Sequence, residues 1–268
     1  FDETISTINE ALPLFWDQVV NEDGTYKSLE WEQSLSIDKL QEIGFHSYQT
    51  HGSVQQGRPN YVKEASKEEF SQLATSQLRA TATDFKQRYT DEIKYWEAIN
   101  EPSSNTFGGL TALERVNMVS NLIAQLRSTV DHGKIFVNDY DWGRGVNAQI
   151  PWDNRDIVST YEFYKELMKK ENKPDFFGLE WYPGARVDQA QFLINISDPC
   201  RDLLDTHIYW KKLIGLGCPL MISEFNVPGS MKTNDLNGYA WGMWDRQSQA
   251  AAAVDILRLA LSTPDCIG

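Results

Sequence analysis

Short apolar runs that each end in polar side chains recur along this chain and constrain its fold more than any other feature. They are Phe45–Thr50, Tyr95–Asn100, Ile135–Asn138, Phe176–Trp181 and Pro219–Phe225. Runs of this length, spaced about 40–50 residues apart and bounded by turn residues, read as buried strands. Amphipathic stretches with readable helix starts lie between them. Ser66-Lys67-Glu68-Glu69 is a capping box ahead of Phe70, Leu73, Phe85 and Tyr89, and Thr111-Ala112-Leu113-Glu114 is another ahead of Val119, Leu122, Ile123, Leu126 and Val130. Asp198-Pro199 places a cap and a first-turn proline before Leu203, Leu204 and Ile208. An earlier helix is expected from about Trp31 to Ile43, stopped by Gly44. A last one follows Asp245, with Ala250, Val254, Leu257 and Leu261 on one face.

Alternating strands and helices imply a parallel sheet, either doubly wound or closed into a barrel. A dinucleotide-binding sheet needs a glycine-rich turn after an early strand, and the chain has none. The strand ends carry Asn100-Glu101, Asn138-Asp139, Glu180-Trp181-Tyr182 and Glu224 instead. In a (β/α)8 barrel such ends converge on one mouth, where active sites sit. The expected fold class is therefore α/β, a TIM-type barrel. No low-complexity stretch or linker divides residues 1–268, so one domain is expected.

Charge narrows the partners. The 38 acidic and 25 basic residues leave a formal charge of −13, which disfavours nucleic acid and anionic membrane surfaces. No apolar run approaches the ~20 residues of a membrane span. Aromatic residues make up 12% of the chain, including 9 Trp; they suit either a large core or stacking against sugar rings. The chain opens at Phe1 with no charged-then-apolar leader, which suggests a processed or excised piece of something longer. Three cysteines, Cys200, Cys218 and Cys266, are too few for a disulfide scaffold. Asn195-Ile196-Ser197 fits the glycosylation pattern, a frequent chance match.

Two segments carry the chemistry. Tyr95-Trp96-Glu97-Ala98-Ile99-Asn100-Glu101-Pro102 delivers Asn-Glu at a strand end and stops at Pro. Pro219-Leu220-Met221-Ile222-Ser223-Glu224-Phe225-Asn226 delivers one glutamate in the same way. A lone carboxylate at a buried strand end is most simply a rim salt bridge, since burial without a partner is costly. Two of them, one between Asn and Pro, fit a pair flanking a glycosidic bond. One serves as acid then base, and the other attacks the anomeric carbon. His51 either contacts substrate or sits in a loop, while His46, His132 and His207 read as structural or solvated. No metal-ligand spacing joins them, and no metal or cofactor is expected. Of Trp142, Trp152, Trp241 and Trp244, about half are expected to line a sugar cleft. Asp139 and Asp141 read as hydrogen-bonding struts beside the site.

At these motifs the chain resembles the retaining (β/α)8 glycoside hydrolases, and within them glycoside hydrolase family 10, the xylanases. Trp96-Glu97-Ala98-Ile99-Asn100-Glu101 is similar to that family's Trp-Asp-Val-Val-Asn-Glu, and Phe136-Val137-Asn138-Asp139-Tyr140-Asp141 to its Asn-Asp-Tyr-Asn strand. Ile222-Ser223-Glu224-Phe225 is similar to its Thr-Glu-Leu-Asp strand, and Phe15-Trp16, Gly24-Thr25-Tyr26 and Trp31 to its early Lys-Trp…Gly…Trp stretch. The resemblance spans nearly the whole chain. It implies Glu101 as acid/base, Glu224 as nucleophile and Asn100 as the contact to the sugar 2-hydroxyl. Asn138, Glu180, Trp181, Tyr182, His51, Trp241 and Trp244 become candidate substrate contacts. It also implies a polysaccharide or oligosaccharide substrate, xylan by default, and a secreted or cell-surface setting.

The departures are specific. Phe15 stands where the family has Lys, Gln49-Thr50-His51-Gly52 where it has a His/Trp-rich strand, and Val54-Gln55 where it has Trp-His. Glu180 and Tyr182 replace its Gln and His. Tyr182 is placed to bond the nucleophile in place of that His. Glu180 adds a third carboxylate, either raising the pKa of the acid by like-charge repulsion or binding a substrate hydroxyl. The resemblance also puts Phe1 near the second strand of the barrel and Ile267-Gly268 at the start of the eighth. The chain is thus expected to lack strands one and eight, which a further segment or chain would supply. Cys218 and Cys266 precede neighbouring strands, so that pair is the one expected to bond, if any does. A different class also fits, a non-catalytic glycan-binding or structural domain of a larger extracellular protein. So does a clan relative of other specificity, such as a mannanase or β-glycosidase.

Overall fold

The structure is a computed structural model that describes residues 11–13, 20–25, 48–51, 58–89, 93–105, 107, 109–140, 154, 157–181, 203–225 and 246–266. Six strands form one sheet: β1 Ala11–Pro13, β2 Tyr48–His51, β3 Ile93–Asn100, β4 Lys134–Tyr140, β5 Phe176–Trp181 and β6 Leu220–Phe225. Their order in the sheet is their order in the chain, and every neighbouring pair is parallel. A doubly wound sheet reverses direction at a switch point. This one does not, so the arrangement is that of part of a (β/α)8 barrel. After the last helix a parallel bridge from Cys266 to Leu220 brings the chain back beside β6.

The helices are α1 Asn60–Lys63, α2 Lys67–Tyr89, α3 Ala112–Thr129, α4 Thr160–Leu167, α5 Leu203–Ile214 and α6 Arg246–Ser262. Both expected capping boxes form. Ser66 and Glu69 each bond the other's backbone N–H at the start of α2, and Thr111 and Glu114 do the same at α3. A third box, Ser159 with Glu162, opens α4. That helix was not among those expected, although its Ser-x-x-Glu signature is in the sequence. Phe70, Phe85 and Tyr89 of α2 and Val119, Leu122, Ile123 and Leu126 of α3 are buried as the spacing predicts. Among the described residues no helix is long and apolar enough to cross a membrane.

The faces of the last two helices differ from expectation. Leu204 and Ile208 of α5 are exposed, and Thr206, Tyr209, Trp210 and Leu213 are buried. On α6, Val254, Leu257 and Leu261 are exposed by 44%, 58% and 76%, while Ala252 and Ile256 face the core. Both helices carry apolar residues around more than one face, so periodicity alone cannot select the buried one. The helices expected at about 31–43 and after Asp198-Pro199 up to residue 202 lie outside the described residues.

The cysteine expectation is also corrected. Cys218 and Cys266 are both thiols. Cys266 pairs in register with Leu220, two residues along the strand from Cys218. Two residues of rise and one strand spacing put the Cα atoms about 8 Å apart, beyond disulfide reach. The Cys218 thiol is directed instead to the Pro174 carbonyl, 3.7 Å away, and burial pushes its pKa up to about 12.

Strand alternation gives the sheet two different faces. Trp96, Ile135, Val137, Phe177 and Leu179 pack with the helices in the main core. On the opposite face Phe136, Phe176 and Met221 form a separate cluster with Tyr95, and Phe136 and Phe176 stack with centroids 5.1 Å apart. Two residues further along the same strands stand Glu97, Asn138, Gly178 and Ser223. The inner face therefore changes from apolar to polar toward the C-terminal ends, because a period of two keeps these positions on one side.

Candidate active site

Asn138 is the centre of the polar layer. It lies opposite Asn100 of β3 and Gly178 of β5 and is 1% exposed. Its Nδ2 donates to Asn100 Oδ1 at 2.7 Å and to Glu180 Oε1 at 3.0 Å. The Ser223 hydroxyl donates to its Oδ1. Both amide hydrogens and the carbonyl are thus engaged, and the side chain links β3, β5 and β6. Gly178 makes room for it. A Cβ there would stand 2.8 Å from Asn138 Oδ1 and 2.9 Å from Phe136 Cδ2. Gly178→Ala is expected to cost about 1–3 kcal/mol through overpacking, read as a lower urea midpoint with an unchanged slope. From the helix side, the Tyr164 hydroxyl lies 2.9 Å from the Val137 carbonyl and 2.8 Å from that of Gly178, and its ring stacks on Phe177 at 4.0 Å. Burial pushes the pKa of that phenol up.

Glu101 follows β3 with φ of 49°, in the left-handed region that side chains disfavour. The surroundings hold it there. Its N–H donates to the Asn138 carbonyl at 2.9 Å, and its Oε2 accepts from Asn105 Nδ2 at 3.2 Å. Asp139 accepts from the hydroxyl and N–H of Ser103, at 2.9 and 3.3 Å, as expected of a strut. Beneath the turn, the fully buried Arg115 of α3 donates from Nε to the Pro102 carbonyl (2.7 Å), from Nη1 to that of Leu110 (2.6 Å) and from Nη2 to that of Ser103 (3.1 Å). The left-handed residue is therefore fixed by contacts on both sides.

Glu180 is 4% exposed and pairs in register with Glu224 across β5 and β6. Burial, then the nearby Glu224, Glu101, Glu97 and Asp139, push its pKa up to about 9. The repulsion among these acids raises the pKa of Glu180 itself. Glu97 is also buried, and its N–H donates to Thr50 Oγ1 at 2.8 Å.

The structure thus gathers Asn100, Glu101, Asn138, Glu180 and Glu224 at one end of the sheet. His51 closes β2 and Trp181 closes β5, each located by its backbone. Tyr182, Trp241 and Trp244 lie outside the described residues, as do Trp142, Trp152, Asp141, His46 and Cys200. His132 adjoins Asp131 and His207 adjoins Thr263, away from the site. Of the tryptophans, Trp96 and Trp210 belong to the core. Among the described residues no group of three or more His, Cys, Asp or Glu side chains is arranged to hold a metal ion. Arg115, Ser103, Ser223 and Asn105 were missed in the sequence. Arg115 had a signal, a charge on the apolar stripe that includes Val116, Val119 and Leu122, where only a partnered cation can sit.

A parallel sheet in chain order, with its carboxylates and amides gathered at the C-terminal ends, is the arrangement of part of a (β/α)8 barrel. Its fold is that of the glycoside hydrolase family 10 xylanases. Xylanase 10B of Thermotoga maritima superposes with a TM-score of 0.62 at 15% identity, covering 98% of this chain and 74% of that one. Xylanase 10B of Thermotoga petrophila RKU-1, solved with xylobiose, gives 0.63 at 16% identity, covering 98% and 73%. Xylanase 10C of Cellvibrio japonicus, solved with xylopentaose, gives 0.65 at 13% identity, covering 98% and 51%. In sequence, 132 residues are 30% identical to endo-1,4-beta-xylanase B of Neocallimastix patriciarum, a match over 46% of this chain and 14% of that protein. No family model matches the chain.

Proposed function

We propose that this chain carries the active site of a retaining glycoside hydrolase that cleaves a β-linked polysaccharide of the xylan type. The observation that carries the reading is that Glu101 and Glu224 stand at the C-terminal ends of strands whose Asn100, Asn138 and Glu180 form a buried network, in a xylanase-like fold. In this reading Glu101 protonates the glycosidic oxygen while Glu224 attacks the anomeric carbon and forms a glycosyl-enzyme. Glu101 then takes a proton from water, which displaces Glu224 with net retention. Such a mechanism requires the two carboxyl groups about 5–5.5 Å apart. Asn105, bonded to Glu101, keeps the acid aimed. Asn100, oriented by Asn138, holds the 2-hydroxyl, a contact that strengthens as the ring flattens in the transition state. Trp181, Tyr182, His51, Trp241 and Trp244 complete the sugar contacts, and the protein works outside the cell, where its substrate lies.

Xylan is favoured because the relatives with this fold include complexes with xylobiose and xylopentaose. The test is a panel of xylan, mannan, cellulose and mixed-linkage β-glucan, with proton NMR of the first-formed anomer. Release of β-anomer from xylan is expected. Early α-anomer would exclude double displacement, and cleavage of mannan or glucan alone would reassign the substrate.

A further inference from the structure

Glu180 is the group in the site that the mechanism leaves without a task. Its surroundings are unusual for a carboxyl group. It is bonded to Asn138 of β4 and paired in register with Glu224 of β6. The charges of Glu224, Glu101, Glu97 and Asp139 act on it, and it acts in turn on the Tyr164 phenol of α4. Among these described groups are four other acids. One of its oxygens is already satisfied, since Oε1 accepts from Asn138 Nδ2 at 3.0 Å. The other hydrogen of the Asn138 amide goes to Asn100, and its carbonyl takes the Ser223 hydroxyl. The register partner of Glu180 on the adjacent strand β6 is Glu224. A buried Glu180 carboxylate, ionised beside Glu224 on the adjacent strand and three more acids, would be strongly repelled. A single proton turns the repulsion into a hydrogen bond.

We infer that Glu180 is a positioning residue that donates its carboxyl proton to Glu224 and holds that carboxylate in line for attack. The inference deepens the glycosidase reading and rests on it. Asn138 sets which oxygen keeps the proton, and the amide network becomes a chain from Asn100 to Glu224. Where the resembled family has Gln, this chain uses an acid, which donates as an amide does but can lose its donor. Burial and the four neighbouring acids hold the proton up to about pH 9. Above that, Glu180 ionises, its donor is gone and a negative charge faces the nucleophile.

Stability gives a readout separate from activity. The folded form holds the proton more tightly than the unfolded chain, whose Glu titrates near 4.3. Stability is therefore full below that value and is lost as pH rises toward about 9. Glu180→Gln removes the loss. The difference in melting temperature, variant minus native, is expected to grow by several degrees between pH 5 and pH 9. In kinetics on xylan, the native alkaline limb should fall near pH 9 and move up by a unit or more in Glu180→Gln. Glu180→Leu, with no donor, should lose about 100-fold or more in kcat with little change in KM, and Glu180→Gln should restore most of it. A melting difference independent of pH would overturn the proton on Glu180. Equal kcat for the Gln and Leu variants would overturn its action on Glu224. If no form cleaves any glycan, the glycosidase reading falls, and the melting series still decides whether Glu180 holds its proton.

Discussion

Glu224→Ala is expected to lower kcat on xylan about 10⁴-fold or more, because in the proposed mechanism it removes the atom that bonds to the sugar. Glu101→Ala is expected to lose about 10²–10⁴-fold on xylan, where the departing sugar hydroxyl needs a proton. With a nitrophenyl leaving group that needs none, the first step of Glu101→Ala should be nearly normal, and a glycosyl-enzyme should accumulate as a burst. Added azide separates the two roles further. In Glu224→Ala it attacks in place of the carboxylate and gives an α-glycosyl azide. In Glu101→Ala it attacks the intermediate and gives a β-glycosyl azide. Neither variant should unfold. Near neutral pH Glu180 holds its proton, so removing either acid relieves little repulsion there, and Glu224→Ala also removes the inferred acceptor of that proton. The melting temperature should change by no more than a few degrees. Activity within tenfold of the native protein in either variant would place the chemistry on other residues.

Arg115→Met is expected to destabilise the protein by about 3–5 kcal/mol, among the largest single-residue effects in this fold. The substitution preserves much of the volume and removes every donor. The carbonyls of Pro102, Ser103 and Leu110 then lose the Arg115 nitrogens that now hold them in the interior. Each unsatisfied carbonyl costs about 1–3 kcal/mol, partly relieved by water or local movement. For a chain of this size the unfolding midpoint should fall by about 6–15 °C. Activity should fall more steeply than stability, because the turn beneath Pro102 and Ser103 also fixes the left-handed backbone at Glu101. Released from one side, the acid leaves its alignment, and kcat should drop while KM changes little. Arg115→Lys keeps the charge but offers one nitrogen for three divergent carbonyls, and should fall between. Full activity in a well-folded Arg115→Met protein would show that Asp139 and Asn138 hold the turn unaided.

Much of the fold was legible because its signals are local. A capping box needs four residues, and those at Ser66 and Thr111 form as written. A buried parallel strand needs a short apolar run, and the runs ending at Asn100, Asn138, Trp181 and Phe225 are strands. Polar residues repeated at strand ends imply a mouth, and five of the candidate residues meet there. The three-residue β1 is too short to show a period, and α4 was overlooked despite its box. The buried faces of α5 and α6 were unreadable because each helix offers more than one apolar stripe. Which stripe is covered depends on packing partners distant in sequence.

The sequence alone thus determined the parallel class of the sheet, its barrel-type strand ends and the pair of glutamates, since these follow from periods and caps within a few residues. The tertiary structure alone decided that Arg115 serves the turn after Glu101, that Asn138 joins three strands, that Cys218 and Cys266 stay apart, and that Glu180 is buried among other acids. Each of these depends on distances between residues about 10–90 apart in the chain, set only when strands come into register about 4.8 Å from one another. Burial then turns those distances into energies no local pattern contains.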